Sequence, residues 1–136
     1  DKNFVWDPGI FKVLGVKFST NLNEISVINF QDKLLPIQRV LNAWKKRRLS
    51  PLGRITITKS LIMSKLTHLF MSLPDPPEDF IGRLENEIYK FLWDGKNSRI
   101  KKSVICKEYS AGGLEMLNVR NFITSLKVSW LKKLRI

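Results

Sequence analysis

Among its 136 residues the chain has one cysteine, Cys106, and one histidine, His68. A lone thiol closes no internal disulfide and builds no cysteine metal cage. A lone imidazole removes two-histidine chemistry and most zinc sites. Long apolar stretches are also missing: no run approaches the roughly eighteen uninterrupted apolar residues that suggest a membrane span. There is no Gly-rich phosphate loop ahead of a helix and no nucleophile elbow, and the acids are scattered or sit at a helix start. They do not supply the grouped carboxylates that two-metal phosphoryl transfer needs. Cys106, beside apolar Ile105 and Lys107, reads as a buried, inert thiol rather than a nucleophile. Such a chain binds rather than catalyses. With 43% hydrophobic residues, seven Gly and six Pro, it is neither collagen-like nor disordered, and its length suits about one domain.

The most informative scarcity is of negative charge. Twenty-four Lys and Arg against twelve Asp and Glu leave a net charge of +12 and an isoelectric point near 10.1. From Lys33 to Leu73 there are nine basic residues (Lys33, Arg39, Lys45, Lys46, Arg47, Arg48, Arg54, Lys59 and Lys65) and no carboxylate. A second group, Lys96, Arg99, Lys101, Lys102 and Lys107, follows Asp94, whereas acids gather from Asp75 to Glu87. A merely solvated helical face mixes both signs in i,i+4 pairs. Forty-one residues without one acid instead predict a face for a polyanion such as nucleic acid.

The periodicities predict a mainly α fold: a short N-terminal β-hairpin followed by a bundle of about four helices. Phe4-Val5-Trp6 and Phe11–Phe18 read as strands around an Asp7-Pro8-Gly9 turn, with Gly15 bulging the second strand. Phe30, Leu34, Ile37, Leu41 and Trp44 make one helical stripe, and Pro36 delays or kinks that helix. The stripe ends in Lys45-Lys46-Arg47-Arg48, where cations complement the helix dipole. Ser50-Pro51 is a helix start, an N-cap followed by Pro at the first helical position, and the helix is expected to reach Ser72 before Pro74. On a 100° wheel, Leu52, Ile55, Ile62, Met63, Leu66, Leu69, Phe70 and Leu73 share its apolar face. Arg54, Thr58, Lys65 and Ser72 fall on another face near His68, and Lys59 snorkels from the apolar one. Phe80 to Leu92 gives a further amphipathic helix and Ser103–Cys106 a single turn. After the sharp Gly112-Gly113 turn, Asn118 caps a last helix carrying Val119, Phe122, Ile123, Leu126, Trp130 and Leu134. The start at Asp1 and the last helix, which has no stop signal, raise the expectation of a piece of a longer protein.

Phe11-Lys12-Val13-Leu14-Gly15-Val16 resembles the strand following the catalytic core in LINE-type, non-LTR retrotransposon reverse transcriptases, with Val13 where that family usually has Tyr. Four more blocks resemble the family in its order: Trp44; Leu49-Ser50-Pro51-Leu52-Gly53-Arg54-Ile55 with Lys59; Phe91-Leu92-Trp93 with Gly95-Lys96; and Arg99-Ile100 with Ala111-Gly112-Gly113-Leu114. The resemblance covers nearly the whole chain. It implies that residues 1–20 are the last palm hairpin, the primer grip. Residues 24–95 would be the helical thumb, and 96–136 the start of the linker region that follows. The fragment would then be a non-catalytic part of an RNA-directed DNA polymerase, holding no cofactor of its own, with Mg2+ in the upstream palm. Its partners would be an RNA–DNA or DNA duplex, template RNA and that palm, with no membrane. The parent element would be intracellular, in nucleus and cytoplasm. Sugar–phosphate contacts suit a grip that must slide. The expected contacts are Lys45, Lys46, Arg47, Arg48, Arg54, Lys59 and Lys65, with Gly53 allowing close backbone approach. Lys12 is placed near the primer end by the resemblance, and Arg99, Lys101 and Lys102 toward template RNA. The alternatives are a stand-alone basic helical interaction module or decayed transposon remnant, and a basic amphipathic helix lying on an anionic membrane.

Overall fold

A computed structural model describes residues 9–98 and 100–134. The chain is mostly helical, with one antiparallel hairpin at its N-terminal end. Strand β1 (Ile10–Val13) pairs with β2 (Val16–Ser19) so that Val13 faces Val16 and Ile10 faces Ser19. The expected single strand over Phe11–Phe18 is therefore folded on itself, and Gly15 belongs to the turn rather than to a bulge. A two-residue hairpin loop of this kind calls for positive φ at both positions. Gly15 supplies it freely at 82°, and Leu14 adopts 50° with its side chain in solvent. Phe4, Val5, Trp6, Asp7 and Pro8 lie outside the described residues.

A 3-10 turn (Leu22–Glu24), capped by the Asn21 side chain, leads into α1 (Ile25–Gln31). Asn29, buried in α1, fastens the hairpin to it. Its Oδ1 accepts from the Lys17 amide at 2.8 Å, while Nδ2 donates to the carbonyls of Lys17 and Ile25 at 2.7 Å each. The stripe from Phe30 to Trp44 breaks at Asp32–Lys33, and α2 (Leu34–Lys45) carries Pro36 in its first turn. Amides there have no partner within the helix, so the missing N–H of Pro36 costs nothing.

Ser50 caps α3 (Pro51–Ile57), its Oγ accepting from the Gly53 amide at 3.1 Å. The rod continues through a π-helical segment (Thr58–Met63) into α4 (Ser64–Ser72) and ends at extended Leu73, just before Pro74. The π segment corrects the single 100° wheel. Its wider turn shifts the helical phase, so residues before and after it do not share one face. Arg54 and Thr58, expected on a polar face, are 6% and 1% exposed, while Leu52, expected inside, is exposed.

Next come α5 (Glu78–Leu92), the short α6 (Lys102–Ile105), a 3-10 turn (Tyr109–Ala111) and α7 (Val119–Leu134). The Asn118 side chain caps α7, accepting from the Asn121 amide at 3.1 Å. Gly113 is obligatory at the preceding turn: a Cβ there would sit 2.0 Å from the Lys107 carbonyl oxygen. One hydrophobic core runs from Val16 to Ile123. Phe30 is at its centre, with ring centroids 5.7 Å from Phe70 and 5.0 Å from Phe80. Helix α2 packs on α5, α3 on α5, and α4 on α7. Among the described residues no helix is long and apolar enough to cross a membrane.

Candidate nucleic-acid interface

The packing of α2 and α3 against α5 brings three chain ends to one pole: the C-terminal end of α2, the start of α3 and the end of α5. Helix α2 stops where the amide of Lys46 turns back to the Trp44 carbonyl, and residues 46–50 leave the helix before Ser50 caps α3. Lys45, Lys46, Arg47 and Arg48 are all exposed in this bend. Helix α5 ends in a left-handed turn, with φ of 54° at Asp94 and 72° at Gly95, and the Gly95 amide donates to the Lys90 carbonyl at 2.8 Å. Lys45 leans over that turn: its Nζ is 3.7 Å from where a Cβ on Gly95 would be. A shallow cleft joins Leu49 and Pro51 to Trp93, Asp94, Lys96 and Asn97, so exposed Lys96 adds a fifth cation to the same end.

The acids nearest the pole are turned toward other cations. Glu87 is 3.9 Å from Lys90, and Asp94 is 4.0 Å from Arg54. Among the described residues no carboxylate forms an ion pair with Lys45, Lys46, Arg47, Arg48 or Lys96. Arg47 is steadied by a ring instead, its guanidinium carbon 4.5 Å from the Trp44 centroid. A cation held over an aromatic face keeps its outer N–H groups for an anion.

The other expected contacts are distributed differently. Arg54 is a correction: its side chain is 8% exposed, Nη1 donates to the Phe91 carbonyl at 2.5 Å, and Nε donates to the Leu49 carbonyl at 3.4 Å. Its guanidinium carbon is 5.1 Å from the Phe91 centroid. It locks α3 to α5 beneath the pole and does not reach a surface phosphate. Gly53 gives its amide to the Ser50 cap, and a Cβ there would meet only ordinary contacts, the nearest being Ser50 Oγ at 3.4 Å. Lys59 is half-buried in the π segment and Lys65 exposed on α4. From Pro51 to Lys65 is about 20 Å along the rod at about 1.5 Å per residue. Lys12 is exposed on β1 opposite Lys17, beside the N-terminal end of α2, and is not brought to the pole. Lys101 and Lys102 are exposed at α6, with Lys102 Nζ 4.5 Å from the Tyr89 ring centroid. Arg99 lies outside the described residues. Lys96 is the residue that the expected contacts missed. Its signal was the Asp94-Gly95 turn, which aims the chain back toward α2.

Away from the pole, some cations are paired. Lys17 pairs with Asp32 and holds that carboxyl below its usual range, chiefly by hydrogen bonding. Arg120 does the same for Glu78 across α7 and α5. Among the described residues no cluster of His, Cys, Asp and Glu could hold a metal ion.

The chain is 24% identical over 134 residues to an uncharacterized 149 kDa protein of transposon TX1 from Xenopus laevis, covering 97% of this chain and 10% of that protein. The chain is related to a transposon protein. It is also 29% identical over 108 residues to a putative ribonuclease H protein of Arabidopsis thaliana, covering 74% of this chain and 17% of that one. The chain thus spans well under a fifth of these relatives' lengths. No family model matches it.

Proposed function

We propose that the chain is a nucleic-acid-binding module of a retroelement protein, acting as the thumb of a non-LTR reverse transcriptase that grips an RNA–DNA duplex by its sugar–phosphate backbone. The observation that carries this reading is the pole itself: Lys45, Lys46, Arg47 and Arg48, exposed beside Lys96 with no carboxylate paired to them among the described residues. Unpaired cations on a rigid, well-packed support gain most from phosphate, because binding releases counterions without first breaking ion pairs. The relatives' names supply the setting, one a transposon protein and the other a putative ribonuclease H. In this reading the catalytic carboxylates and their Mg2+ belong to a palm preceding Asp1, and the hairpin faces that palm.

The test is equilibrium binding of the chain to a blunt RNA–DNA duplex across a salt series. Five phosphate contacts, one for each cation of the pole, give a log–log slope of about −4.5, from about −0.9 per phosphate for B-form DNA. The slope is expected to be the same for unrelated duplex sequences. A salt-insensitive affinity, or strong dependence on base sequence, defeats the reading. In the longer reading frame, the same proposal requires an aspartate pair in a strand–turn–strand upstream of Asp1.

A further inference from the structure

Away from the pole, α5, α6 and the start of α7 enclose a cleft of about 200 Å3 whose chemistry differs from the rest of the surface. Ile88, Met116 and Val119, all buried, form an apolar floor. Around it stand Glu85, Tyr89, Lys102, Ser103, Cys106 and Asn118. Several of these have hydrogen-bonding capacity to spare among the described residues. Glu85 makes neither an ion pair nor a hydrogen bond, Ser103 makes no side-chain hydrogen bond, and Asn118 uses its Oδ1 on the Asn121 amide while its NH2 has no partner. Lys101 and Lys102 stand exposed beside the mouth.

We propose that this cleft receives one unstacked base of a single strand, with the strand's phosphates held at the mouth by Lys101 and Lys102. The inference rests on the nucleic-acid reading above and extends it from backbone grip to base capture. Its volume is below the roughly 300–1,000 Å3 of ordinary ligand sites, and suits a single planar heterocycle rather than a whole nucleotide. The apolar floor and the Tyr89 ring supply the surface on which an extruded base is stabilised. Lys102 already lies on one face of that ring and is exposed, so it leaves the ring for phosphate as the base enters. The Tyr89 phenol is a donor at neutral pH like any tyrosine, and burial, reinforced by the Cys106 thiol 3.9 Å away, pushes its pKa higher still. The polar pair holds the edge of the base that enters. The Glu85 carboxylate only accepts, and the free Asn118 amide donates. Together they match a donor beside an acceptor, which the edges of cytosine, adenine and uracil all present, so the cleft takes a base without choosing among these three.

The sole cysteine lines this cleft and reports on it. The whole chain is mixed with oligo-C, oligo-A, oligo-U or a blunt duplex of matched charge. Binding is read by fluorescence anisotropy and alkylation of Cys106 by N-ethylmaleimide is timed at saturation. Oligo-C, oligo-A and oligo-U are expected to slow alkylation about tenfold, and the duplex to bind without slowing it. Glu85→Leu, which removes the acceptor from the cleft, is expected to weaken the protection given by the single strands and to leave duplex binding as it is. Binding of all four with no protection, or protection by the duplex equal to that by the single strands, overturns base capture and leaves the grip standing. No binding of any polyanion overturns both.

Discussion

Two halves of one acid-free stretch have opposite fates. Lys45 to Arg48 end a helix and stay in solvent without carboxylate partners, whereas Arg54, six residues further on, is drawn into the fold. Composition treats them alike, and the local backbone separates them. The first group lies where α2 has run out of helical hydrogen bonds and the chain must bend toward the Ser50 cap. Arg54 falls one turn inside α3, on the side facing α5, where the carbonyls of Leu49 and Phe91 meet its fork. A fixed charge is tolerated there because its donors are satisfied and its stem packs on the Phe91 ring. Positive charge in this protein therefore does two jobs, one electrostatic and one architectural, and mutation tells them apart.

The largest effect on stability falls on the architectural side. Arg54→Ala removes the charged donor from the Phe91 carbonyl, which keeps the Asp94 amide at 3.2 Å, and empties the space over the Phe91 ring. The cost is about 3 kcal/mol, combining about 1.5–3 for a hydrogen bond from a charged group with about 1 or more for lost packing. Chemical denaturation checks it, and a loss below about 1 kcal/mol would mean that Arg54 is free after all. The electrostatic side inverts the pattern. Replacing Lys45, Lys46, Arg47 and Arg48 together with Ala is expected to weaken duplex binding about a hundredfold at moderate salt. The salt slope should flatten by about 3.6, four contacts at about 0.9 each. Stability should shift little, since exposed substitutions usually stay within about 0.5 kcal/mol each. If melting temperature falls and the salt slope stays, the roles assigned to the two groups are reversed.

Between these extremes stands Asn29, the buried polar side chain that holds the hairpin on α1. Asn29→Ala removes three hydrogen bonds to backbone groups of Lys17 and Ile25 and is expected to cost about 2 kcal/mol. Hydrogen exchange should show the loss first at the Lys17 amide, not in α5.

Much of this was readable in advance where one residue type has one local use. Ser50-Pro51, Asn118, Pro74 and the Gly112-Gly113 turn marked helix ends and a bend correctly, because caps and breakers act within a few residues. Tertiary context decided the rest. The hairpin turn fell on Leu14-Gly15, whose first residue gives no turn signal, because pairing Val13 with Val16 leaves two residues to close the loop. The π segment is invisible to a wheel of fixed pitch, and it displaced Arg54 and Thr58 from the face assigned to them. As for the site, the free cations were legible as a run of four. Lys96 joined them only when α5 had been folded against α2.

Arg120 supplies the control, an exposed cation that does have a carboxylate partner. Hydrogen bonding to Arg120, with a smaller contribution from its charge, holds the Glu78 carboxyl below its usual value of 4.5 against the opposing effect of burial. A carboxyl whose folded-state pKa is depressed contributes stability that is complete above the unfolded value and is lost as pH falls through the folded one. Arg120→Gln should therefore lower the melting temperature slightly at pH 6, and the gap between variant and parent should close on acidification below about pH 4. Added salt should narrow the same gap at neutral pH, since the pair is exposed and screened. The pole variant lacking Lys45 to Arg48 has no such carboxylate to titrate, so its offset from the parent should be flat over that acid range. An offset that changed with pH would reveal a carboxylate partner at the pole, and the cations there would no longer be free for phosphate.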